Sequence, residues 1–122
     1  MKALVVDDSM TIRRIVIKAL ALAGIADATE AGDGVEAVNA VNQSDFDLIL
    51  LDWNMPKMSG IDTLRAIRQA GKKTPVIMVT TEAEKSRVIE AIKSGANDYL
   101  IKPFSPDQLA AKVKHVLGAA AR

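Results

Sequence analysis

The chain contains no cysteine. Disulfides and thiolate metal sites are therefore excluded, and a reducing compartment is permitted. Aromatic residues are scarce, with one Trp, one Tyr and two Phe making 3% of 122 residues. A core must instead come from Val, Ile, Leu, Ala and Met, within an apolar content of 49%. Neither sign of charge dominates: 16 Lys and Arg face 15 Asp and Glu, for a net charge of +1. That balance gives no general attraction to nucleic acid or to anionic lipid. Long hydrophobic runs are also missing. No window approaches the ~18 apolar residues of a membrane span. The opening "MKALVVDDSM" has a run of four apolar residues before two acids, without the longer apolar stretch and cleavage site of a signal peptide. Repeats, low-complexity tracts and linkers are absent as well. A cytoplasmic, monomeric protein is expected.

A length of 122 residues suits one domain, residues 1–122, with no output domain attached. Such a chain can bury roughly two thirds of its unfolded surface. Short apolar runs recur at "ALVV" (3–6), "LILL" (48–51), "VIMV" (76–79) and "YLI" (99–101). Between them lie apolar residues at helical spacing. Ile12, Ile15, Val16 and Ala19 form one stripe; Leu64 with Ile67 and Val88 with Ile92 form two more. Leu109, Val113, Val116 and Leu117 form the last. Gly24, Gly71 and Gly95 each follow a stripe, where a left-handed cap is wanted. The alternation of strand and helix, about five times over, predicts an α/β fold with a parallel sheet and helices on both faces. "ADATE" (26–30) is the most polar strand candidate and belongs at an edge.

In an open parallel sheet, ligands sit beyond the carboxyl ends of the strands. The residues that follow the apolar runs are Asp7 and Asp8, then Asp52, then Thr80 and Thr81, then Lys102 and Pro103. Each alone has an ordinary structural reading. Asp8 or Ser9 can cap the next helix, Asp52 can start a turn, Thr80 can end a strand and Lys102 can be a solvated charge. Together they put three acids, a hydroxyl and an amine on one rim. Clustered carboxylates raise one another's pKa, and a divalent oxygen-seeking cation relieves them. Mg²⁺ suits the set, since it takes one or two carboxylates and keeps waters that a phosphate can replace. Lysine supplies a compact positive charge for a phosphoryl oxygen. The inventory fits phosphoryl transfer to a carboxylate, in which Asp is an accepted nucleophile.

The stretches "VVDDSMTIRRIV", "EAGDGVEAVN", "DWNMPKMSG", "PVIMVTTEAEK" and "GANDYLIKPF" run through the whole chain. In that order they closely resemble the response-regulator receiver domain. The resemblance implies a single-domain, flavodoxin-like three-layer sandwich, with a five-stranded parallel sheet in the order 2-1-3-4-5 and five helices. It further implies that Asp52 accepts a phosphoryl group from a histidine kinase. Asp8 and Asp52 would coordinate Mg²⁺ with the backbone carbonyl of Asn54, and Asp7 would help through water. Thr80 and Lys102 would grip the phosphoryl oxygens, and Tyr99 would turn inward as the switch aromatic. Lys102–Pro103 would be a cis peptide. Asn54 and Glu82 occupy positions that tune dephosphorylation in the family, and their types imply a short-lived phosphoryl group. Pro56 and Gly60 would shape the loop after Asp52.

The resemblance also implies a partner face around Tyr99, with Lys85 and Lys112 as basic docking residues and Arg87 and Lys114 nearby. The partners implied are a histidine kinase and a downstream target such as a flagellar motor switch protein. Ser9 and Met10 follow the acidic pair, where the family's single-domain chemotaxis regulator has an aromatic first. Met55 and Met58 are expected to pack the loop, Trp53 to cover it, and His115 to sit on the surface of the last helix. A haloacid-dehalogenase-like phosphatase is the enzyme alternative, but it needs a second acid where Asn54 stands. A flavodoxin-like FMN binder needs a Ser/Thr/Gly-rich phosphate loop after the first strand, where "DDSM" puts two negative charges.

Overall fold

In the computed structural model, residues 1–120 are described. Strands and helices alternate without exception along them. β1 spans Lys2–Val6, α1 Met10–Leu22, β2 Asp27–Ala31, α2 Gly34–Gln43 and β3 Leu48–Leu51. Then come α3 at Gly60–Gln69, β4 at Val76–Thr80, α4 at Lys85–Lys93, β5 at Asp98–Ile101 and α5 at Pro106–Ala120. All four strand pairings are parallel, in the order β2-β1-β3-β4-β5. β1 and β3 thus lie side by side, and the register pairs Val6 with Leu51 at their carboxyl ends.

The period of two along each strand divides the core into two layers. Leu4, Val6, Ile49, Leu51, Val76 and Met78 pack with Ala37, Val41, Leu64, Ile67 and Ala91, so α2, α3 and α4 cover one face. Ala3, Val5, Leu48, Leu50, Ile77 and Val79 pack with Val16, Leu20, Leu109 and Val113, so α1 and α5 cover the other. The central strands β3 and β4 are buried along their full length, as continuous apolar runs require. The polar edge strand β2 has only Ala31 buried.

Strand ends differ slightly from the sequence reading. β4 continues to Thr80 and β5 begins at Asp98, because Thr80 pairs with Ile101 and Ile77 with Asp98. β2 is shifted by one residue, to 27–31, by the pairing of Ala31 with Val6. Two stripe residues are not core. Ile15 is 42% exposed and Ile92 46% exposed. α1 meets the core through Val16, Ala19 and Leu20, which leaves Ile15 on a shallow apolar hollow with Ile12, Pro103 and Phe104. α4 buries Ala91 alone, and its N-cap Glu84 makes no side-chain cap bond. That helix is held by few contacts.

The helix ends follow simple rules. Ser9, Asp33 and Ser59 cap α1, α2 and α3 by accepting a backbone N–H three residues on. Gly24, Gly71 and Gly95 take positive φ just after α1, α3 and α4. Gly60 is needed for a different reason: a Cβ there would overlap the backbone carbonyl of Asp52. The left-handed residue of that loop is Lys57, at φ 67°.

Candidate phosphoryl-acceptor site

Parallel strands in register bring their carboxyl ends to one edge. Asp7 and Asp8 follow β1, Asp52 follows β3, Thr80 ends β4 and Lys102 follows β5. The structure brings all five to the same rim. Asp7, Asp52 and Thr80 are buried, whereas Asp8 is exposed.

Asp52 continues the ladder, donating its N–H to the Val6 carbonyl at 3.0 Å. Its Oδ1 accepts the Trp53 N–H at 2.7 Å and its Oδ2 accepts Lys102 Nζ at 3.2 Å. Asp7 Oδ1 accepts the Ser9 N–H at 2.9 Å, and Asp7 Oδ2 accepts Lys102 Nζ at 2.6 Å. Ser9 therefore both caps α1 and fixes Asp7. Burial pushes the Asp52 carboxyl up, against the opposing pull of the Lys102 ammonium and the Thr80 hydroxyl, with Asp7 adding to the rise. Burial alone would draw the Lys102 ammonium down, but its bonds to Asp7 and Asp52 outweigh that and the net shift is upward.

Asp7, Asp8 and Asp52 each offer a carboxylate oxygen, and these lie within 4.8 Å of one another. Three hard oxygen donors at that spacing fit a divalent cation such as Mg²⁺ or Ca²⁺, and they offer no nitrogen or sulfur for a softer metal.

On the other side of the rim, Glu82 is a junction. Its N–H goes to Thr80 Oγ1 at 3.2 Å, and its backbone carbonyl accepts the Tyr99 hydroxyl at 2.6 Å. Its carboxylate accepts Asn54 Nδ2 at 3.2 Å. One residue thus ties the Thr, the Tyr and the loop after Asp52 together. Tyr99 is already buried, and its phenol is pushed up to about 12, by burial first and then by the charges of Glu82 and Asp52. The Lys102–Pro103 peptide is cis.

The remaining sequence candidates scatter around this centre. Lys85 opens α4 and is exposed. Lys112 pairs with Asp98 at 2.9 Å, beside exposed His115 in an open hollow between β5 and α5. Met55 packs against the core, and Trp53 is buried with the Arg87 guanidinium 5.3 Å from its ring. Arg87 is thereby drawn onto the loop after Asp52. Sequence reading gave no role to Arg13, which reaches the Asp7 carbonyl. An Arg on a helix forms no pattern with a backbone oxygen, so nothing in the sequence signals that contact.

Residues 3–114 match the response regulator receiver domain family. The chain is 46% identical over 121 residues to chemotaxis protein CheY1 of Helicobacter pylori, covering 97% of this chain and 98% of that protein. It is 43% identical over 118 residues to chemotaxis protein CheY of Pseudomonas aeruginosa, covering 95% of each. Among solved structures, the receiver domain of Francisella response regulator 1452 matches with a TM-score of 0.90, 38% identity and 98% of both chains covered. Chemotaxis response regulator CheY4 of Vibrio cholerae matches with a TM-score of 0.87 and 38% identity, over 94% of this chain and 97% of that one. With strands in the order 2-1-3-4-5, five covering helices and an acidic rim facing one lysine, this chain belongs to the response regulator receiver domain family.

Proposed function

We propose that this protein is a stand-alone response regulator that accepts a phosphoryl group on Asp52. The supporting observation is the convergence of Asp7, Asp8 and Asp52 with Lys102 on one rim. A carboxylate oxygen of Asp52 attacks phosphorus in a phosphohistidine or small phosphodonor. The bond from phosphorus to the donor breaks, and the donor leaves with the electron pair and takes a proton. Hydrolysis reverses the state: water attacks phosphorus, the bond to Asp52 breaks, and inorganic phosphate leaves.

Asp8, Asp52 and the Asn54 backbone carbonyl would hold Mg²⁺, with Asp7 assisting; when bound, the cation offsets negative charge on the phosphoryl group. Lys102 binds a phosphoryl oxygen, exchanging carboxylate partners for it. Thr80 donates its hydroxyl to another and releases the Glu82 N–H. Because Glu82 also holds Tyr99 and Asn54, that exchange repositions the Tyr99 face and the sparsely buried α4. Asn54 and Glu82 orient the hydrolytic water and keep the phosphoryl group short-lived. Lys85 and Lys112, on the face around Tyr99, meet the downstream partner. The likeness to chemotaxis proteins supports a histidine kinase of the chemotaxis type as donor and a flagellar motor switch protein as target. A cytoplasmic setting accords with this. Among the described residues, no helix is long and apolar enough to cross a membrane.

The test follows Trp53 emission on adding Mg²⁺ and then beryllofluoride or acetyl phosphate. The expected result is a Mg²⁺ response and a further donor-dependent change that Asp52→Asn abolishes. A wild-type protein silent to both in emission, and carrying no phosphoryl group by mass spectrometry, overturns the reading.

A further inference from the structure

The three carboxylates of the rim are not held alike. Asp52 is fixed by the Trp53 N–H and Lys102, and Asp7 by the Ser9 N–H and Lys102. Asp8 is exposed, and among the described residues its carboxylate accepts no hydrogen bond from the protein. Its aim is therefore set through its backbone. The peptide that joins Asp7 to Asp8 carries the Asp7 carbonyl, and that oxygen accepts Arg13 Nη1 at 2.6 Å. Fixing this oxygen fixes the plane of the peptide, and with it the N–Cα bond from which the Asp8 side chain departs.

Arg13 is itself constrained. Its Nε donates to Glu30 Oε1 on β2 at 2.9 Å, and its side chain is largely buried. Its own backbone N–H bonds the Ser9 carbonyl at 3.0 Å. The fork of the guanidinium is what allows one side chain to hold a carbonyl and a carboxylate at once, which an ammonium on a single stem does less well. Glu30 also balances the guanidinium charge, which would otherwise repel a cation close by.

We propose that Arg13, held by Glu30, is the positioning residue that aims Asp8 into the cation site. The proposal rests on the cation reading given above. Groups behind a metal's ligands typically affect affinity by about 10- to 100-fold, and an indirect hold on one of three carboxylates belongs at the lower end. Arg13→Ala is expected to weaken Mg²⁺ binding about tenfold. Glu30→Gln keeps a hydrogen-bond acceptor but leaves the guanidinium charge unbalanced, and should weaken binding about threefold.

The experiment titrates MgCl2 into wild type, Arg13→Ala, Glu30→Gln and Asp8→Asn by calorimetry and by Trp53 emission, with metal-free melting curves for each. Weakened Mg²⁺ binding in Arg13→Ala and Glu30→Gln, in variants that melt within a few degrees of wild type, supports the proposal. Added loss should be small when Arg13→Ala is combined with Asp8→Asn, because the two act on one ligand. Mg²⁺ affinities within twofold of wild type in both single variants overturn it, as does full additivity in the double variant. Should Arg13→Ala melt far below wild type, Glu30→Gln decides by the same criterion. A wild type that binds no Mg²⁺ overturns the cation reading itself, which is a different result.

Discussion

Lys102 Nζ stands 3.2 Å from the Asp52 carboxylate. The same ammonium holds Asp7 at 2.6 Å, so one half-buried cation is shared by two of the three rim acids. Lys102 and a divalent ion therefore compete for the same carboxylates. Lys102→Met is expected to lower the melting temperature of the metal-free protein, since it strands two buried carboxylates. It should also raise Mg²⁺ affinity by about tenfold, because a neighbouring positive charge is gone. Melting curves at increasing MgCl2 check both, the variant gaining more from Mg²⁺ than wild type. Phosphoryl uptake should fall even at saturating Mg²⁺.

Asp52 is unfavourable as an ion when no cation is bound beside it. Its carboxyl is pushed up, so the folded chain holds this proton more tightly than the unfolded chain does. Its ionisation therefore costs stability as pH rises past the ordinary carboxylate range of about 4. Asp52→Asn, measured without metal at neutral pH, should raise Tm. The advantage should shrink as pH is lowered towards 4 and below. A variant that melts below wild type at pH 7 contradicts this account.

Tyr99 is the only tyrosine, so absorbance near 295 nm reports its ionisation alone. With the phenol pushed up to about 12, little phenolate should form between pH 9 and 11. The tighter proton in the folded chain contributes stability below the ordinary tyrosine value of about 10, and this is lost as pH rises through about 12. Lys102, also shifted up, acts in the same direction. Tyr99→Phe removes the bond to the Glu82 carbonyl and should cost ~1 kcal/mol in urea unfolding.

At the opposite end of the sheet, Arg68 donates to the Gly95, Lys72 and Thr74 carbonyls and to Asn97 Oδ1. It ties the end of α3 to the turns before β4 and β5. Arg68→Met should destabilise the domain by about 3 kcal/mol, as several carbonyls lose a charged donor. The urea midpoint followed by Trp53 emission measures this. Mg²⁺ affinity well below the midpoint should be unchanged, because Arg68 is remote from the rim.

Glu82→Ala should lengthen the life of the Asp52 phosphoryl group several-fold, and Asn54→Ala should do the same. Both remove the polar pair, 3.2 Å apart, that links the loop after Asp52 to the end of β4. Release of inorganic phosphate from labelled protein in Mg²⁺ measures the rate.

Much of this architecture is legible in the residues. "LILL" and "VIMV" read as apolar strands, and both are buried along their full length. "ADATE" was too polar for the sheet centre and lies at its edge. The acids after β1 and β3 announced the rim, because parallel strands end together. Strand order came from resemblance and not from the pattern, since alternation records burial but not which strand is the neighbour. Ile15 and Ile92 show the same limit: helical period gives a face, while the width of the partner surface decides how much of it is covered. The junction at Glu82 was hidden because two of its three bonds use backbone atoms, which every residue type carries.

The sequence by itself determined the chemical inventory: three carboxylates, a hydroxyl and an amine, each after an apolar run, in a chain without thiols. Only the tertiary structure decided that Lys102 reaches Asp7 across 95 positions, and that Arg13 braces the peptide between the paired acids. The physical reason is that composition and spacing act along the chain, whereas a charge responds to whatever the register of neighbouring strands sets beside it. Here that register sets β1 against β3 and closes the rim with the end of β5.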